Sequence, residues 1–187
     1  MKRIFIAINL PSEVKSKLIK LQEELALYLP YVRWTKLENL HLTLVFLGWL
    51  EEEKIKEGCQ ITKEVVEEIE PFALTLAGLG VFPEPRRPRI LWVGVGGDSI
   101  LKHLNQALFR KLTQTNFVLD EREFTAHLTI GRIQEQKPSK EAIFFAINKF
   151  KNTEFGKVEV KSLEVMESIL RREGPIYRVI KKIKLRE

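Results

Sequence analysis

Two copies of one four-residue pattern constrain this chain more than anything else in it. His41-Leu42-Thr43-Leu44 is repeated as His127-Leu128-Thr129-Ile130, 86 residues later, in a chain holding three histidines in all. In an extended strand, side chains two apart share a face, so each histidine lies beside its threonine while the aliphatic residues between them turn to a core. Each copy thus predicts a strand presenting one imidazole and one hydroxyl together. Imidazole exchanges protons near neutral pH, and a hydroxyl can hold a non-bridging phosphate oxygen. A single histidine in an apolar strand is most simply a half-buried core residue; its repetition with the same threonine favours a site. Two such strands facing each other would surround one cavity with two imidazoles and two hydroxyls.

The spacing is close to half of the 187 residues. It predicts two similar lobes, each giving one motif strand to a shared cleft. No low-complexity stretch divides them, so residues 1–187 read as a single bilobal domain. Composition, 44% hydrophobic and 30% charged, is that of a soluble globular protein, and no apolar run reaches the length of a membrane span. Asn9 and Pro11 follow the first apolar run too soon for a signal-peptide core, so residues 3–9 read as a buried strand. The lone Cys59 can form neither an internal disulfide nor a zinc cluster. These features place the chain in a reducing cytoplasm, away from membranes. A net charge of +6 favours a polyanionic partner such as RNA.

Along the chain, Ser12 reads as the N-cap of a helix with Val14, Leu18, Leu21, Leu25 and Leu29 inward, stopped by Pro30. A short strand, 32–35, leads through a turn at Glu38-Asn39 into the first motif strand, 40–47, which Gly48 ends. A second helix, 51–69, puts Cys59 on its inner face as a core thiol. A strand from Phe72 to Gly80 follows. Residues 82–89 hold three prolines among three arginines and read either as a rigid connector between the lobes or as a basic loop near a phosphate chain. After a strand at 89–95, Asp98 or Ser99 caps a third helix with Leu101, Leu104, Leu108 and Leu112 inward. His103 lies off that stripe and is left out of the site. The second motif strand is placed at 124–132, a fourth helix starts at Pro138-Ser139, and strands fall near 155–161, 162–169 and 176–183.

The paired motifs resemble those of the two-histidine phosphoesterase superfamily. Arg3-Ile4-Phe5-Ile6-Ala7-Ile8, Arg89-Ile90-Leu91-Trp92-Val93-Gly94-Val95 and Glu167-Ser168 with Gly174-Pro175-Ile176-Tyr177 narrow the likeness to the RNA 2′,3′-cyclic phosphodiesterases, also called 2′-5′ RNA ligases (LigT-like). The likeness runs from residue 3 to about 180. It implies an α+β fold of two lobes related by a pseudo-two-fold axis, antiparallel sheets lining a central cleft and helices outside. It also implies a monomer that hydrolyses RNA 2′,3′-cyclic phosphate ends to 2′-phosphates with neither metal nor other cofactor. Reversible 2′-5′ ligation would use the same site, and tRNA halves are among the candidate substrates. By resemblance, His41 is the proton donor to the departing 3′ oxygen and His127 the acceptor that activates water. Thr43 and Thr129 would hold the phosphate.

Arg132 is a further phosphate ligand in that pattern. Strict alternation puts it on the face opposite His127, so it needs a bulge after Gly131 to turn it inward. Trp34, Phe46 and Tyr177 are candidates for base stacking, with core packing the favoured reading of each. Three rival readings stand beside this one. A metal hydrolase would need more ligands than one histidine per motif. A non-catalytic RNA-end-binding protein would not need the imidazoles. A phosphodiesterase for other cyclic nucleotides or 2′-5′ linkages would differ only in the cleft wall.

Overall fold

The computed structural model describes residues 1–134 and 138–186, apart from the side chain of Asp98. The elements run β1 (Lys2–Asn9), α1 (Ser12–Ala26), β2 (Val32–Trp34), a single 3-10 turn at Leu37–Asn39, β3 (His41–Leu50), α2 (Glu52–Val66), β4 (Phe72–Phe82) and β5 (Ile90–Gly96). The chain continues through α3 (Asp98–Gln114), β6 (His127–Ile133), α4 (Lys140–Phe150), β7 (Glu154–Val160), β8 (Ser162–Ile169) and β9 (Ile176–Lys184).

The strands form two sheets with antiparallel pairing, ordered β3-β1-β8-β9 and β2-β6-β5-β4-β7. The orders β3-β1 and β6-β5 correspond: each motif strand lies beside the strand from which a long helix departs. Those helices are exchanged. α1 follows β1 of the first sheet but packs on β7 of the second, while α3 follows β5 of the second and packs on β3 of the first. This exchange ties the lobes together through one core, with Leu18 and Leu25 of α1 and Leu101, Leu104, Leu108 and Leu112 of α3 all fully buried. Each such leucine contributes about 2 kcal/mol of burial free energy.

The lobes are not the two halves of the sequence. β8 and β9 return to the first sheet, and β2 joins the edge of the second. β8 takes an interior place in the first sheet and is buried along nearly its whole length, its Glu164, Glu167 and Ser168 included. Its neighbours there are β1 and β9. The segment 82–89 likewise joins neighbouring strands of one sheet rather than two lobes. It is a hairpin loop closed by Arg89 N–H donating to Phe82 O at 2.7 Å, with Arg86 and Arg87 exposed.

Several boundaries differ from the sequence reading. The N-cap of α1 is Pro11, not Ser12, because the proline's φ of −59° already aims the chain into the helix. The helix ends at Ala26, yet Leu29 still packs inward from the following turn. α2 stops at Val66 rather than 69. α3 is entered through Gly97 at φ 88°, a left-handed conformation that only glycine adopts freely, so no side-chain cap is formed there. Ser139 does cap α4, its Oγ accepting from Ala142 N–H at 3.1 Å. Gly48 does not end β3. At φ 81° it follows an unpaired Leu47 in a bulge, and the strand continues to Leu50. No helix among the described residues is long and apolar enough to cross a membrane.

Candidate active site

The two motif strands meet across a cleft of about 730 Å³ between the sheets, and His41, Thr43, His127, Thr129 and Arg132 all line it. Local backbone irregularity makes this possible. In the β1–β3 register, Ala7 faces Thr43 and Ile6 faces Val45, which leaves Leu44 unpaired. In the β5–β6 register, Trp92 faces Thr129 and Leu91 faces Gly131, which leaves Ile130 unpaired. Each bulge lets two successive residues, Leu44-Val45 and Ile130-Gly131, lie buried. It then restores the next residue to the face of the histidine. That residue is Phe46 in β3 and Arg132 in β6. The bulge that brings Arg132 inward precedes Gly131 rather than following it.

Both imidazoles are held in the same way. His41 Nδ1 donates to Asn39 O and His127 Nδ1 donates to Thr125 O, each at 2.7 Å and each to the carbonyl two residues earlier. A carbonyl can only accept, so Nδ1 carries the hydrogen and the neutral ring keeps Nε2 as its free base. An aromatic ring stands edge-on to each: Tyr177 to His41 and Phe82 to His127, both with centroids 4.9 Å apart and planes at 88°. Asn39 is itself buried, and its Nδ2 donates to Pro175 O at 2.8 Å, which fastens the turn before β3 to the loop before β9. β9 delivers Tyr177.

The environments of the two histidines differ. The hydrogen bond at His127 is open to solvent, whereas His41 lies deeper, against the Phe5 ring at 5.0 Å, with Nε2 hydrogen-bonded to Thr43 Oγ1 at 2.9 Å. No equivalent bond joins His127 to Thr129 among the described residues. Burial, chiefly, lowers the pKa of His41 from 6.5 to about 4; the bond to Asn39 O opposes the shift and the Lys15 charge adds to it. Lys15 projects from α1 and is buried, and desolvation pulls its own proton affinity down against the attraction of Glu164 and Glu38. Glu164 pairs with Ala7, which pairs with Thr43, so the carboxylate stands on the same face of the sheet as the motif.

Sequence reasoning did not find Phe82, Phe5, Lys15 or Glu164. Only the register across strands, or an exchanged helix, brings them to the histidines. Trp34, Phe46 and Tyr177, read first as core, all line the cleft, and Phe46 is 54% exposed. Arg33 and Lys36 add positive charge to the same wall. The arginines of the 82–89 loop do not line the cleft; Phe82 and Pro83 do. His103 is exposed on α3. Cys59 is half-buried against the core, and burial pushes its thiol pKa up, as befits a packing residue. Among the described residues, no three histidine, cysteine or carboxylate side chains cluster as a metal site would require.

Comparison with known proteins points the same way. The family described as LigT like Phosphoesterase matches residues 8–92 and 98–177. An RNA 2′,3′-cyclic phosphodiesterase of Archaeoglobus fulgidus is 34% identical over 176 residues, 94% of this chain and 96% of that protein. One from Methanocaldococcus jannaschii is 34% identical over 179 residues, 96% of this chain and 98% of the relative. Among solved structures, TT0787 of Thermus thermophilus matches with a TM-score of 0.84 and 25% identity over 98% of both chains. E. coli LigT complexed with 3′-AMP shares the fold at a TM-score of 0.78 and 23% identity, covering 100% of this chain and 99% of that one. With both motifs inside the matched segments and the fold shared along its whole length, this chain belongs to the LigT-like phosphoesterase family.

Proposed function

We propose that this chain hydrolyses RNA 2′,3′-cyclic phosphate ends to 2′-phosphates by metal-independent acid–base catalysis with two histidines. The observation that carries the reading is the matched presentation of the imidazoles. Both Nδ1–H groups are spent on backbone carbonyls, and both rings line one cleft with a threonine beside each. In-line attack at phosphorus needs a proton removed on one side and delivered on the other. Nε2 of His127 takes the proton of the attacking water. Nε2–H of His41 protonates the 3′ oxygen as its bond to phosphorus breaks, leaving a 2′-phosphate and a free 3′ hydroxyl. The rings then exchange protons with solvent to reset. With the 5′ hydroxyl of a second RNA in place of water, the same groups would open the cyclic phosphate to a 2′-5′ linkage, His127 taking the hydroxyl proton and His41 protonating the departing 3′ oxygen.

The burial of His41 adds a condition. Burial favours the neutral ring, so the proton that His41 donates must be stabilised on it by the substrate. A phosphate anion held by Thr43, Thr129 and Arg132 stabilises the imidazolium and raises its pKa. Thr43 must also turn its hydroxyl from His41 Nε2 to a phosphate oxygen, which frees that nitrogen for the 3′ oxygen. Both motifs come from one chain within residues 1–187, so a monomer holds the complete set of groups, and cytoplasmic RNA fragments are its natural class of substrate.

The test is hydrolysis of a short RNA ending in a 2′,3′-cyclic phosphate, in excess chelator, by the wild type and by His41→Ala and His127→Ala. A 2′-phosphate product is expected, with each substitution lowering kcat by about 10²–10⁴-fold. Tight RNA binding without turnover, or turnover indifferent to both histidines, would reject the reading.

A further inference from the structure

The face of the first sheet does not end at the cleft. Antiparallel neighbours directly opposite share a face, as do residues two apart in one strand. Phe46 lies opposite Phe5 and Trp49 opposite Arg3, and Phe5 and Arg3 are two apart in β1. His41, Thr43, Phe46 and Trp49 therefore follow one another along the same side of β3. β3 is the edge strand of its sheet, so nothing within the sheet covers these rings from beyond. Phe46 is 54% exposed and Trp49 56% exposed, while Phe5 between them and the sheet centre is fully buried. Two large rings left open beside a reactive centre, with Val179 also 45% exposed on the same face, make an apolar strip that calls for a ligand.

We propose that this strip is a track that extends the site beyond the terminal base, for which Phe46 is already a stacking candidate: Trp49 stacks the base immediately 5′ of it and Arg3 holds the intervening backbone. The proposal rests on reading the cleft as an RNA-end site. Thr43, Phe46 and Trp49 pair with Ala7, Phe5 and Arg3, so successive platforms stand two residues of β1 apart, about 7 Å. An unstacked single strand can follow such a spacing. Aromatic platforms with a guanidinium beside them suit single-stranded nucleic acid and tolerate any base. Arg3 and Arg132 both act electrostatically on the Tyr177 hydroxyl, so the two cations lie within Coulombic reach of one ring from the two sheets. The track is also short. Just past Trp49, Glu51 and Glu52 hold the terminal amine at 3.5 Å and Lys2 at 2.8 Å, so a further phosphate would meet acidic side chains.

Kinetics against substrate length test this. A nucleoside 2′,3′-cyclic phosphate would be compared with a dinucleotide and a hexanucleotide bearing the same end, for the wild type, Trp49→Ala, Trp49→Phe and Arg3→Gln. The wild-type KM should fall about tenfold from the mononucleotide to the dinucleotide, the low end of base–aromatic stacking, and change little to the hexanucleotide. Trp49→Ala should lose that gain with kcat kept, leaving the mononucleotide kinetics as they were, and Trp49→Phe should recover part of it. Arg3→Gln should lower the salt dependence of KM for the dinucleotide and the hexanucleotide alike and leave that of the mononucleotide unchanged.

A KM change equal at every length would make Trp49 a structural residue and overturn the proposal. So would no change at any length, the result expected if the rings instead bind a protein. Binding of a dinucleotide 3′-phosphate, followed by quenching of tryptophan fluorescence, separates this from the function reading. If no cyclic phosphate were turned over, a dinucleotide affinity equal in wild type and Trp49→Ala would still refute the track, and a weaker affinity in the variant would support it.

Discussion

Phe46 and Arg132 occupy the same step of the two motif strands, each five residues beyond its histidine and each returned to the cleft by one bulge, at Leu44 and at Ile130. One backbone device, used twice, thus delivers a ring to one wall and a cation to the other. A cyclic phosphate end is itself lopsided, with a base on one side and an anion on the other. On the proposed function, the asymmetry of side chains on a nearly symmetric frame would give such an end one orientation.

Arg132 should carry much of the phosphate binding. Replacing it with glutamine is expected to lower kcat/KM by about 10–100-fold, the worth of a hydrogen bond to a charged group. Lysine should restore only part, because a point charge cannot make the paired contacts of a guanidinium. Steady-state kinetics on a dinucleotide substrate would decide it, and an Arg132→Gln enzyme with unaltered kcat/KM would remove this arginine from the site.

Gly131 is the residue that lets β2 approach β6 at the bulge. A Cβ there would stand 2.6 Å from Val32 Cγ1 and 3.1 Å from Trp34 Cε3. Gly131→Ala should cost about 1–3 kcal/mol by overpacking. The companion change Val32→Ala should return part of that loss, since it removes the nearer atom. Urea midpoints of the two single variants and the double variant measure the coupling; strict additivity would mean that the strain lies elsewhere.

His41 should make stability depend on pH in a defined window. Its folded pKa, about 4, lies below the unfolded value of 6.5, so between these limits the unfolded chain binds the extra proton. The neutral ring's contribution is whole above pH 6.5 and is lost progressively as pH falls towards 4, a loss of about 3 kcal/mol in all. His41→Asn, which cannot titrate, should flatten the slope across that window. Denaturation midpoints from pH 4 to 7 would record it, and parallel curves for variant and wild type would contradict the shift.

How much of this was written in the sequence depends on range. The repeated pattern, read with period two, put His41 beside Thr43 and His127 beside Thr129 from local alternation alone; the shared cleft was an expectation from their spacing and from the family resemblance. The leucine stripe of α3 was equally plain, because helical periodicity is a local property. Arg132 marks the limit: alternation put it on the wrong face, and whether a strand bulges depends on the register of its neighbour, here Leu91 and Trp92 against Gly131 and Thr129. Lys15 and Glu164 were invisible for a stronger reason. They lie far apart in sequence and reach His41 only because α1 is exchanged between lobes and β8 crosses back to pair with β1. The spacing of the motifs suggested two similar lobes, each giving one motif strand. Nothing local in β8 foretold its return to the first sheet: Ser162, Glu164, Glu167 and Ser168 interrupt its apolar residues, and only the pairing with β1 and β9 places it inside that sheet.

The Lys15–Glu164 arrangement yields the last prediction. Lys15 lowers the proton affinity of His41, and Glu164 is the largest electrostatic partner of Lys15, so the imidazole is coupled to the carboxylate through the buried cation. Replacing Lys15 with methionine, similar in length, removes a positive charge near the imidazolium and leaves the Glu164 carboxylate uncompensated. Both changes favour the protonated ring, and the His41 pKa must therefore rise. The double change Lys15→Met with Glu164→Gln removes both charges and should bring the titration back towards the wild-type midpoint, because burial is the main cause of the shift. With only three histidines in the chain, the imidazole resonances can be followed one by one by NMR from pH 3 to 8, and His41→Asn assigns the signal. A His41 midpoint unmoved by Lys15→Met would mean that burial alone sets its proton affinity and that the charges beneath it serve only the packing of α1 against the sheets.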